Sequence, residues 1–171
     1  DSNRRTATLR AFLSIWYTAK NCLALPNLQW FMILDDDAVI HPGRLNKFLY
    51  VVGKQLGSPI RTPIIIGRDA PWAHGEVFGG NGVLFSKAAL QKMYEGHGFR
   101  DAVKQWGDGY MKFLENMITA VATDSEVPMI HLAAPFGISQ DICLQDEMEH
   151  QLIPYFNAST RKFDFGRFHA D

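Results

Sequence analysis

Asp35, Asp36 and Asp37 stand together at the end of an unbroken apolar run, Trp30-Phe31-Met32-Ile33-Leu34. Adjacent carboxylates repel one another unless a cation shares the site. Hard oxygen donors of this kind suit Mg²⁺ or Mn²⁺, held together with a substrate phosphate. A solvated acidic turn that caps a strand is the bland alternative. Two other segments carry chemistry. Gly79, Gly80 and Gly82 lie between short apolar pieces, where missing side chains let a ligand approach the backbone. No Gly-Lys-Ser/Thr follows them, so this is not a phosphate-binding P-loop. Asp108 precedes an apolar stripe of Tyr110, Phe113, Leu114, Met117 and Val121. It is expected to cap that helix, and a carboxylate fixed there can also serve as a base.

The elements that must hold these residues follow from periodicity. Leu9, Phe12, Trp16, Ala19 and Leu23 mark an amphipathic helix from about Thr6 to Leu25, which Pro26 ends. Trp30 to Leu34 reads as a strand buried on both faces, as in sheets covered by helices. Ligands gather at the carboxyl ends of strands in open α/β sheets, which is where the aspartates fall. Leu45, Phe48, Leu49, Val52 and Leu56 define a helix from about Arg44 to Leu56. Ile64 to Gly67 reads as a short buried strand and residues 68–76 as a loop over a cleft or an ordinary surface connection. Ser86 is placed to cap a helix from Lys87 to Tyr94. Residues 95–107 read as polar and glycine-punctuated, Val127 to Leu132 as a strand carrying His131, and Asp141 to Leu152 as a helix. The fold class expected is α/β in a single domain over residues 1–171.

Composition excludes several classes. A hydrophobic content of 47% is enough for a real core, and a net charge of −1 offers no nucleic-acid groove or polybasic membrane patch. No stretch approaches the roughly 18 apolar residues of a membrane span. The chain opens Asp1-Ser2-Asn3 without a methionine, which reads as a processed or truncated segment whose anchor lies elsewhere. Cys22 and Cys143 either pair or remain two buried thiols. Asn157-Ala158-Ser159 is a glycosylation sequon, of use only in a secretory lumen.

The order Trp30 to Pro42, then Ile64 to Gly67, then Phe78-Gly79-Gly80-Asn81-Gly82-Val83-Leu84-Phe85-Ser86, resembles the Fringe-like and core-one β1,3-glycosyltransferases. Asn81 stands where alanine is usual in that family, and the resemblance covers roughly residues 5–132. It implies a GT-A-like mixed, mainly parallel sheet covered by helices, here without the N-terminal strands that grip the nucleotide. It further implies an inverting, metal-dependent transferase that moves a sugar from a UDP-sugar donor to a hydroxyl of a glycan or glycoprotein acceptor. Asp37 would ligate Mn²⁺, or Mg²⁺ in its place, with Asp35 also near the metal. Asp35 and Asp36 would lie beside the ribose, and Gly79, Gly80 and Gly82 would border the sugars. Asp108 is implied as the base, with His131 as a further metal ligand. Phe168-His169 is the other candidate dipeptide, and would pair with Asp146 or Glu147 as base. No nucleic-acid partner is implied, and the location would be the Golgi or ER lumen.

Two further classes compete. A different Mg²⁺-dependent phosphate or nucleotide enzyme needs a nucleophile or lysine motif beside the acids, and none is placed for it. A non-catalytic relative would keep the fold and bind sugar or protein.

Overall fold

The computed structural model describes residues 2–34, 40, 42–70, 73–132, 155–157 and 162–164. Helix α1 (Ser2–Asn21) buries Phe12, Ile15 and Ala19, and a 3-10 turn (Cys22–Ala24) adds Cys22 to the same core. Strand β1 (Trp30–Ile33) comes next, then α2 (Pro42–Leu56), whose first residue is a proline that loses no helical hydrogen bond there. Strand β2 (Ile65–Ala70) and the long β3 (Ala73–Ser86) lead into α3 (Lys87–Glu95). Ser86 caps α3 as expected, its Oγ accepting from the Ala89 N–H at 3.1 Å. Helices α4 (Gly98–Gly107) and α5 (Leu114–Asp124) precede β4 (Met129–Leu132). A separate two-stranded sheet joins β5 (Tyr155–Asn157) to β6 (Lys162–Asp164). Among the described residues, no helix is long and apolar enough to cross a membrane.

The fold is α/β, with a mixed four-stranded sheet in the order β1-β3-β2-β4. The expectation of a mainly parallel sheet is corrected here. Among the described residues only β2 and β4 pair in parallel, whereas β1 and β2 both run antiparallel to β3. For β2 and β3 the cause is the short connection between Ala70 and Ala73, which face each other in the ladder. A connection that short can join only antiparallel strands, since a parallel return needs a long crossover. Within the stretch 68–76, read from sequence as a loop or surface connection, residues 68–70 thus supply the end of β2 and residues 73–76 the start of β3. Strand β1 was expected to be buried on both faces. Instead it is an edge strand with all of its residues half-buried.

Alternation along the strands divides the core in two. Ile65, Val83 and Phe85 face α1, α3 and α5, in a cluster that includes Phe12, Leu90, Met93, Met117 and Ile118. Ile66, Leu84, Ile130 and Leu132 face Phe48 and Val52 of α2. Each fully buried side chain of this size stabilises the fold by about 2 kcal/mol before chain entropy is counted. Helix α4 occupies most of residues 95–107, which read from sequence as polar and glycine-punctuated. Its Phe99, Ala102, Val103 and Trp106 share one face and join the larger cluster, with Phe99 packed on Phe12 at a ring separation of 5.4 Å.

Candidate functional site

The strand register gathers several of the singled-out residues into one row across the sheet. Ile33 pairs with Val83, Val83 with Gly67, and Gly67 with His131. Registered partners point to the same face, so His131 shares its side of the sheet with Val83 and Ile65. Ile33 is the last residue of β1, and the acidic segment begins just beyond it, after Leu34. Asp35, Asp36 and Asp37 themselves lie outside the described residues. So do Cys143, Asp146, Glu147, His169 and the expected helix from Asp141 to Leu152.

The glycine segment lies against this row. Between β2 and β3 the register steps from Gly67↔Val83 directly to Arg68↔Phe78. Residues 79–82 are therefore a four-residue insertion on the β3 side, a special bulge of the sort found beside functional sites. Gly82 has a φ of +97°, a backbone conformation unfavourable for other residues. Gly79, Gly80 and Gly82 thus follow on from the row at which β1 ends with Ile33. Below them Gly67 permits a close approach of strands. A Cβ at this position would meet Val77 Cβ at 3.0 Å and Val77 Cγ1 at 3.2 Å.

Helix α5 is tied to the same end. The Asn116 amide donates to Glu76 Oε1 at 2.6 Å, bridging the first turns of α5 and β3. Neither residue was singled out from the sequence, because Glu76 falls where a loop was expected and no local pattern announces a partner on α5.

Asp108 needs a correction. It was expected to open a helix, yet it closes α4, its N–H donating to Lys104 O at 2.9 Å. The Gly109 N–H then donates to Trp106 O at 3.1 Å and the Tyr110 N–H to Gln105 O at 2.9 Å. With Gly109 at φ +83°, this is a Schellman ending. Phe113, not an acid, stands at the start of α5. Gly109, one place before the expected stripe, was the signal for a helix end rather than a helix start. Asp108 is exposed on the link between α4 and α5. Since α5 returns to feed β4 at Met129, that link lies toward the far end of β4, the end that carries His131.

No protein-family model matches the chain, and no curated protein matches its sequence.

Proposed function

We propose that this chain is a metal-dependent, inverting glycosyltransferase domain of GT-A type. It would transfer a sugar from a UDP-sugar donor to a hydroxyl of a glycan or glycoprotein acceptor. The observation that carries this reading is the row Ile33–Val83–Gly67–His131, beside the glycine insertion at residues 79–82. It brings the end of β1 that precedes the acidic segment, the backbone opening and a histidine to one end of one sheet.

The donor set fits a divalent ion. Carboxylate oxygens with one imidazole nitrogen suit Mn²⁺. From Ile33 to His131 is three strand spacings, about 14 Å. The chain from Ile33 to Asp37 can extend about 13 Å, so side chains from both sides can close the remaining gap. Asp35, Asp37 and His131 are assigned to hold Mn²⁺, which supplies positive charge against the diphosphate of the leaving group. Asp35 and Asp36 also orient the ribose, while Gly79, Gly80 and Gly82 leave room for the sugars. Asp108 takes the proton from the acceptor hydroxyl. The acceptor oxygen forms its bond to the anomeric carbon as the bond to UDP breaks, inverting that carbon. The setting is the lumen of the secretory pathway, where the Asn157 sequon has a use.

The test is UDP release from a panel of UDP-sugars with Mn²⁺ and simple glycoside acceptors. One donor should release UDP faster with acceptor than without, and Asp37→Ala should abolish the release. No release from any donor, with the protein folded, would overturn the reading.

A further inference from the structure

At the opposite end of β1 from the acidic segment, α2 and the chain around Trp30 border a groove of about 620 Å³. Two aromatic side chains line it. Trp30 is half-buried against the α2 cluster, and Tyr50 is 66% exposed. Gln29, Asn46 and Ser58 add neutral hydrogen-bonding groups. Lys54 is the only charged residue among the described residues that line the groove, and its ammonium lies 5.6 Å from the centre of the Tyr50 ring.

Gly53 gives the independent observation. It lies in the last turns of α2, where glycine destabilises a helix relative to alanine. Its φ is not positive, unlike those of Gly57, Gly82 and Gly109. A Cβ at Gly53 would also meet nothing within 4 Å. Neither backbone geometry nor crowding accounts for the glycine. What it does is leave the wall of the groove open.

We infer that this groove binds a sugar chain that carries a carboxylate. The flat C–H face of a pyranose packs on aromatic rings such as Trp30 and Tyr50. Sugar hydroxyls both donate and accept, which matches the amides of Gln29 and Asn46 and the hydroxyl of Ser58. One ammonium answers one carboxylate by a charge-assisted hydrogen bond. A nucleoside diphosphate fits less well, because it brings several charges to a single cation. Helix α2 also turns its later turns to the groove, not the N-terminus that would favour phosphate. This inference rests on the groove alone and stands apart from the transfer chemistry proposed above.

The experiment is titration calorimetry of the whole chain with a tetrasaccharide of three N-acetylglucosamine units and one glucuronic acid, which carries a single carboxylate. A neutral tetrasaccharide of N-acetylglucosamine and UMP are the comparison ligands. The acidic tetrasaccharide should bind with a Kd below about 1 mM and about tenfold more tightly than the neutral one. Lys54→Gln should remove that difference. Gly53→Leu, which fills open space on a helix, should raise the Tm and abolish binding. Absence of binding by the acidic chain would overturn the proposal. Equal binding of the neutral chain, or binding retained in Gly53→Leu, would do so too. UMP binding that Gly53→Leu removes would assign the groove to a nucleotide instead.

Discussion

Gly67 and Val77 meet so closely that a methyl group on Gly67 would lie 3.0 Å from Val77 Cβ. The contact falls where β2 and β3 part around the glycine insertion, and Gly67 is also the residue that joins Val83 to His131 across the sheet. Packing and candidate site therefore share one position.

Gly67→Ala should destabilise the protein by about 1–3 kcal/mol, the usual effect of overpacking a filled interior. Urea denaturation measures it. The double variant with Val77→Gly should be less destabilised than the sum of the two single changes, because without Val77 Cβ the added methyl has room. Simple additivity would show that the two residues do not press on each other.

Asp108 separates stability from chemistry. Its side chain is exposed, so Asp108→Asn should leave the folding free energy within about 0.5 kcal/mol of the parent. Sugar transfer should fall by about 10²–10⁴-fold if its carboxylate takes the acceptor proton. Retained activity would move the base elsewhere. Gly109→Ala should behave differently, costing about 1 kcal/mol of stability through its positive φ.

Cys22 is fully buried, and that burial pushes its thiol above the ordinary value of 9.0. The nearby positive charge of Lys87 pulls the other way without overcoming it. Because the folded thiol gives up its proton later than the unfolded one, its contribution is fully present below pH 9 and is lost as pH rises beyond it. The fall in stability between pH 8 and pH 10 should be smaller in Cys22→Ala than in the parent. An identical fall would contradict this account. Alkylation of Cys22, followed by peptide mapping, should be slow in the native protein and fast in urea.

Residues with a local rhythm gave themselves away in the sequence. Leu45, Phe48, Leu49 and Val52 announced α2, and Ser86 announced the start of α3, because spacing and capping are short-range effects. The length of β3 was hidden, since its glycines and the polar Ala73–Glu76 stretch lack an alternating pattern and gain strand form only by pairing with β2. Helix α4 had a usable stripe in Phe99, Ala102, Val103 and Trp106, which its polar residues and flanking glycines obscured. The exposure of β1 could not be read locally, because the sheet order makes it an edge. In the candidate site, the glycine segment and His131 were visible as residue types. Their shared row was not, since it depends on register between strands far apart in sequence. The bond from Asn116 to Glu76 had no sequence signal at all.

Titration calorimetry of UDP binding, with and without Mn²⁺ and repeated on Asp37→Ala, tests the central claim most directly. The account predicts binding that needs Mn²⁺, disappears in Asp37→Ala and survives in Gly53→Leu, which alters only the distant groove. UDP binding that ignores both Mn²⁺ and Asp37, or no binding under any condition, would contradict it.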